Sequence, residues 1–290
     1  MWQLGAFPPT AAVDVTCTYR RRVLTPQQPE GPGEKLRPYV AGLVIDWLAS
    51  APDVRHRAID GSLAFVDISG FTTLTERLAT KGKVGAEEMS DVLDAAFGAL
   101  LEVAYSYGAL LVKWGGDAVL LLFEGDEHAL LACRAAAEMR QTMRRIGVLQ
   151  TSVGSIRLRM SVGVHSGAFD FFLVGDRHRE LLITGPGATT TAHMEATADA
   201  GEIVVSSTTA ARLPARCVGV AKGDGWLLRS APAVDPRCRF WPRAPQTVDL
   251  GICLDPVVRE HLLGDAGDSE HRQVSVGFVE VTAVDDLLLR

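Results

Sequence analysis

The decapeptide Leu63-Ala64-Phe65-Val66-Asp67-Ile68-Ser69-Gly70-Phe71-Thr72 holds a strand end, a turn and a helix start. Its apolar, β-forming run stops at Asp67. The Ser69-Gly70 step then leads into Thr72-Thr73-Leu74-Thr75-Glu76-Arg77-Leu78, where apolar residues take helical spacing. Further on, Lys113-Trp114-Gly115-Gly116-Asp117-Ala118 follows the same logic. A strand-like run over 109–114 meets a Gly-Gly pair and Asp117, and Ala118-Val119-Leu120-Leu121-Leu122-Phe123 resumes a buried strand. This predicts a hairpin whose return strand opens with a carboxylate.

Asp67 at the end of one core strand and Asp117 at the tip of a neighbouring hairpin can converge on a divalent ion. The adjacent helix start offers free backbone N–H groups to phosphates. Hard cations such as Mg²⁺ take a few carboxylates and complete their shells with phosphate oxygens and water. Each aspartate alone also suits a commoner task, Asp67 as a helix cap and Asp117 as a turn residue. Together, in these contexts, they point to metal-assisted work on a nucleoside triphosphate.

Composition narrows the classes. A chain of 290 residues has room for one large or two small domains, and 47% hydrophobic content builds a sizeable core. A formal charge of −6 without a dense Lys/Arg run argues against nucleic-acid binding as the main role. Cys17, Cys133, Cys217, Cys238 and Cys253 form no CxxC pair, so they read as reduced, mostly packed thiols of a cytosolic protein. No apolar run reaches membrane-spanning length, and no basic-then-apolar leader follows Met1. The expectation is a cytoplasmic protein with no membrane span and no nucleic-acid partner.

Along the chain, residues 1–35 carry Pro8-Pro9, the cluster Tyr19-Arg20-Arg21-Arg22 and a turn-rich 26–33, and read as a flexible lead-in. Residues 37–48 have the spacing of a short amphipathic helix. Residues 85–107 predict a long helix with Met89, Val92, Leu93, Ala96, Leu100 and Val103 inward, ended by Gly108. After the 109–123 hairpin comes an alanine-rich helix over 127–143. Two strands, 156–165 and 168–174, are expected to turn at Ser166-Gly167. Then come a strand over 179–184, a helix over 186–198 and a strand over 202–205. This order gives an α+β class, an α/β sandwich on a mixed sheet with flanking helices, over 36–230. Residues 231–270, with Pro and Asp/Gly turns, read as a linker.

Phe65-Val66-Asp67-Ile68-Ser69-Gly70-Phe71-Thr72 and Gly116-Asp117-Ala118 resemble the catalytic domain of class III nucleotidyl cyclases. The resemblance is to the first catalytic domain of soluble, bicarbonate-responsive adenylyl cyclases and their bacterial relatives. It implies a ferredoxin-like core and conversion of ATP to 3′,5′-cyclic AMP and pyrophosphate. It also implies two Mg²⁺ or Mn²⁺ ions on Asp67, Asp117 and the Ile68 carbonyl, with Ser69, Gly70, Phe71 and Thr72 cradling the phosphates. Asp67→Asn would then keep the shape and lose most metal affinity. Lys113, with Ile183, falls where the family has an anion or base pocket, and Lys113 equally suits a solvated strand end.

Departures from the family pattern are one-sided. Thr189 and His193 replace an asparagine and an arginine that act on ribose and α-phosphate. Leu182 replaces an acidic base reader, and Ala192 replaces an arginine of the bicarbonate-responsive relatives. Ser161 stands where a basic phosphate contact is common, and Arg159, two residues earlier on the same strand face, is the substitute. The metal pair is kept while base-reading and transition-state groups are missing, as in one half of an asymmetric pair completed by a second cyclase domain. Val276-Gly277-Phe278-Val279-Glu280-Val281-Thr282 echoes residues 63–69, so residues 271–290 are expected to begin such a domain, truncated at Arg290. A degenerate regulatory or dimerisation module that binds nucleotide or a small anion is the alternative, as is a guanylyl cyclase.

Overall fold

The computed structural model describes residues 32–237, 248–264 and 285. One mixed sheet organises them. It runs in the order β2 (Leu110–Trp114), β3 (Ala118–Glu124), β1 (His56–Ser69), β6 (Arg159–Val174), β8 (Ile203–Ser206), β10 (Gly225–Leu228), β9 (Val218–Lys222). β7 (Glu180–Thr184) pairs with the far end of β6, and β4 (Val148–Thr151) with β5 (Gly154–Arg157) forms a separate hairpin. Only the β6–β8 pair among these is parallel. The mixed sheet with flanking helices is the expected α+β architecture.

Alternation along β1 sorts its residues between two faces. Ala64, Val66 and Ile68 join Met160, Val162 and Val164 of β6 in one core cluster under α4 (Lys83–Ser106) and α5 (His128–Ile146). α5 presents Ala132, Ala135, Ala136, Met139 and Met143 as a continuous buried stripe at helical spacing. On the other face, Leu63, Phe169 and Phe171 pack with Trp47 and its neighbours on α2 (Gly42–Ser50). The Trp47 indole N–H donates to the Val54 carbonyl (2.8 Å), so its one polar atom is satisfied in the core. α1 (Pro32–Leu36) precedes α2, and α3 (Phe71–Ala79) follows β1 directly. α6 (Pro186–Thr197) lies across β6 and β1, and α7 (Ser207–Ala210) follows β8.

Two expectations are corrected. Ser166-Gly167 is no turn, because β6 runs unbroken through it beside β1, with Ser166 opposite Ser62 and Gly167 opposite Gly61. The Ser166 hydroxyl is buried and hydrogen-bonded to those of Ser62 (2.7 Å) and Thr209 (2.9 Å). The glycines serve close packing: a Cβ on Gly61 would sit 2.5 Å from the Phe123 carbonyl oxygen. The stretch read as a linker is also partly folded. Leu250 is buried in the α2 cluster, and α8 (Pro256–Leu263) starts with Asp255 accepting from the Val257 N–H (2.9 Å). Its Pro and Asp are helix-start residues. The lead-in up to residue 31 and, apart from residue 285, the second-domain echo lie outside the described residues.

Candidate active site

β1, a central strand, carries Asp67 to near its C-terminal end, opposite Ala118 of β3 on one side and Ser161 of β6 on the other. The β2–β3 turn brings Asp117 to the same place. Gly116 adopts φ 77°, and the Gly115 N–H donates to the Ala118 carbonyl (2.8 Å), closing the hairpin. The Ile68 N–H donates to the Asp117 carbonyl (3.0 Å), so backbone hydrogen bonding locks the two aspartate segments together.

Electrostatic coupling follows from this arrangement. Burial, then the negative charges of Asp117 and Glu195, push the Asp67 carboxyl up to about 6. No ion pair or hydrogen bond to the Asp67 or Asp117 side chain forms among the described residues. Nor, among these residues, do three or more His, Cys, Asp or Glu side chains gather into a metal cage. Hard oxygen donors held close without a neutralising cation fit Mg²⁺ or Mn²⁺, which fill their remaining positions with phosphate and water.

Beside this pair the chain turns through Gly70, at φ 95°, into α3. A Cβ on Gly70 would approach the Arg157 carbonyl oxygen to 3.0 Å, so both dihedral and space call for glycine. Phe71 and Thr72 open the helix, and first-turn N–H groups have no intrahelical acceptor. Ser69 pairs across the strands with Arg159, so Asp67, Ser69, Arg159 and Ser161 share one face. The structure therefore brings Asp67, Ile68, Ser69, Gly70, Phe71, Thr72, Asp117 and Arg159 together.

Other expected residues stand apart. The Lys113 ammonium donates to Glu180 (2.7 Å) and to the Leu181 carbonyl (3.3 Å). Ile183 packs against the α2 cluster, and Leu182 is exposed. On α6, Thr189, Ala192 and His193 are exposed, and His193 pairs with Asp224 (3.2 Å). Cys133 and Cys217 are buried and free, as expected of packed thiols, and Cys253 is half-buried.

Sequence reasoning missed Glu195. It sits on α6, accepts from the Ser161 hydroxyl (2.8 Å), and its charge reaches Asp67. The available signal was Gly163: a Cβ there would lie 2.1 Å from the Glu195 nitrogen, so only glycine lets α6 press against β6.

The family model described as "Adenylate and Guanylate cyclase catalytic domain" matches residues 55–225, the span of the sheet just described. The chain belongs to this family. The cyclase domain is 28% identical over 144 residues to adenylate cyclase type 10 of Oryctolagus cuniculus, covering 48% of this chain and 9% of that protein. It is 25% identical over 186 residues to a membrane guanylyl cyclase of Dictyostelium discoideum, covering 59% of this chain and 12% of that one. The chain thus matches only a small part of these relatives' lengths. Among solved structures, the monomeric guanylyl cyclase domain of the RhoGC fusion protein from Blastocladiella emersonii has the same fold. Its TM-score is 0.51 at 20% identity, over 61% of this chain and 98% of that one. Family members use divalent metal ions and work as dimers or pairs of domains. Among the described residues no helix is long and apolar enough to cross a membrane.

Proposed function

We propose that this chain is the metal-bearing half of an adenylyl cyclase, turning ATP into 3′,5′-cyclic AMP and pyrophosphate, and that it acts in the cytoplasm beside a complementary second domain. One observation carries the reading: the Asp67 and Asp117 segments are joined by a backbone hydrogen bond beside the α3 N-terminus, the charge of Asp117 acts on Asp67, and neither carboxylate has a cation partner among the described residues. Asp67, Asp117 and the Ile68 carbonyl would hold two Mg²⁺ or Mn²⁺ ions. Bound there, the ions supply a lowered pKa for the ribose 3′-hydroxyl and neutralise charge on the leaving pyrophosphate. The backbone N–H groups from Ser69 to Thr72 take phosphate oxygens, and Arg159, level with Ser69, adds a cationic contact. The 3′-hydroxyl gives up its proton to solvent and its oxygen bonds to the α-phosphorus, as the bond from that phosphorus to the α–β bridging oxygen breaks and pyrophosphate leaves with the electron pair.

The second domain supplies what this chain lacks. His193 is engaged by Asp224 and Lys113 by Glu180, so neither is a free cation for the α-phosphate or the base. Those same pairings favour the second reading, a module that binds nucleotide or an anion and regulates by pairing. Adenylyl specificity draws on the rabbit relative's name, and the Dictyostelium relative's name supports a guanylyl alternative. The test is product analysis with Mn²⁺, ATP or GTP, and the chain joined to a complementary cyclase domain. Cyclic AMP from ATP, absent with Asp67→Asn or Asp117→Asn, supports the proposal. Cyclic GMP from GTP alone moves it to a guanylyl cyclase, and no product with retained nucleotide binding favours the regulatory module.

A further inference from the structure

Glu195 has no place in the two-aspartate scheme, yet it is built into the site with care. Gly163 removes the side chain that would bar α6 from β6, which brings the Glu195 backbone onto the strand. The Ser161 hydroxyl then holds one Glu195 carboxylate oxygen at 2.8 Å. Ser161 is the residue directly opposite Asp67 in the β1–β6 register, so the hydrogen bond orients Glu195 from the position next to the metal-binding aspartate. The Ser161 hydroxyl occupies one Glu195 oxygen, whereas the Asp67 and Asp117 carboxylates have no hydrogen-bond partner among the described residues, which sets Glu195 apart from that pair. Its contribution is charge at short range and fixed orientation.

We propose that Glu195 is a positioning residue of the cation site, a third carboxylate that strengthens divalent-cation binding at Asp67 and Asp117 without ligating the ion, held in place by Ser161. This rests on the metal-bearing reading above. A fixed negative charge in a partly desolvated site concentrates cations and acts more strongly there than at the open surface. On the same face, Arg159 opposes it with one positive charge opposite Ser69. Asp117 and Glu195 are the charges that act on Asp67, and both are negative. Removing one of these three carboxylates weakens cation capture before any substrate is present. The effect shrinks as salt rises, since screening acts on a charge that does not touch the ion.

The test uses the full chain without nucleotide, titrated with Mn²⁺, free ion being followed by electron paramagnetic resonance at low and at physiological ionic strength. Thermal unfolding in a chelator checks that each variant is folded. Glu195→Gln is expected to weaken Mn²⁺ binding about five- to tenfold at low salt and by less at higher salt. Glu195→Asp should restore part of the loss. Asp67→Asn should bring binding below detection at both ionic strengths, and Glu87→Gln on the exposed face of α4 should leave it unchanged. Wild-type affinity in Glu195→Gln, with Asp67→Asn impaired, overturns the role of Glu195 and leaves the metal reading standing. Equal binding by wild type and Asp67→Asn overturns both. Should Glu195→Gln not fold, Ser161→Ala carries the test: an intermediate loss supports the proposal, and wild-type affinity overturns it.

Discussion

Asp67→Asn should stabilise the metal-free protein while abolishing its response to metal. In the folded chain, burial and the charges of Asp117 and Glu195 hold the Asp67 carboxyl near 6, against an ordinary value of 3.8. The folded state therefore binds this proton more tightly than the unfolded state, so stability falls as pH rises through the interval between those values. Felt in full, a displacement of that size is roughly 3 kcal/mol. Asp67 is partly exposed, and solvent screening reduces the figure to about 1–2 kcal/mol. Asparagine keeps the shape and removes the charge. Above about pH 7, in a chelator, the variant should thus unfold about 3–6 °C higher than wild type. The gain should shrink as pH falls through that interval and vanish only below about pH 3, where the wild-type carboxyl is protonated in both states. Adding Mn²⁺ should raise the wild-type transition by mass action and leave the variant unmoved. Thermal unfolding followed by circular dichroism from about pH 3 to 8 reads all of this. A variant less stable than wild type at pH 8, or one whose difference from wild type ignores pH, would refute the reasoning.

Gly70→Ala forces a side chain into φ 95° and to 3.0 Å of the Arg157 carbonyl oxygen. It should cost about 1–2 kcal/mol in urea unfolding and weaken metal-dependent nucleotide binding. Gly163→Ala must push α6 off β6, because its Cβ would overlap the Glu195 nitrogen, and a loss of about 2–3 kcal/mol is expected in the same assay. His128 is buried, its Nδ1 hydrogen-bonded to the Ser62 hydroxyl (2.7 Å), with Asp60 and Arg212 as its charged neighbours. Burial first, then Arg212, lowers its pKa below the ordinary 6.5, so the unfolded chain binds the proton more readily. His128 should therefore contribute stability above about pH 6.5 that is lost on acidification. Burial lowers His165 in the same direction, so the urea midpoint should drop between pH 7 and 5, and His128→Gln should flatten part of that slope.

The core of the fold was legible because its signals are local. β1, the turn at Gly70 and α3 follow from one change of hydrophobic period, and Gly115-Gly116 announces the hairpin that delivers Asp117. Misreadings arose where one local pattern serves two structures. Ser166-Gly167 looks like a turn, and only its partners across the sheet, Ser62 and Gly61, make it strand interior. Pro256 and Asp255 look like linker residues until Leu250 finds a buried place in the core cluster that also holds Trp47 and anchors the segment. The β9–β10 hairpin was overlooked although Gly223-Asp224-Gly225 is turn chemistry. Lys113 was legible as a candidate, but its partner Glu180 depends on β7 folding back along β6. Glu195 depends likewise on a helix–strand contact, whose one trace in the sequence is Gly163 on β6. Pairwise convergence across the sheet is a tertiary fact, and sequence periodicity reports only the faces.

Binding of a non-cyclisable ATP analogue to the 290-residue chain, measured by calorimetry with Mn²⁺ and again with a chelator, tests most directly whether Asp67 and Asp117 form a cation-dependent phosphate site. The account predicts binding that requires Mn²⁺ and is lost in both Asp67→Asn and Asp117→Asn. Equal affinity in the chelator, or undiminished Mn²⁺-dependent binding in both variants, would contradict it.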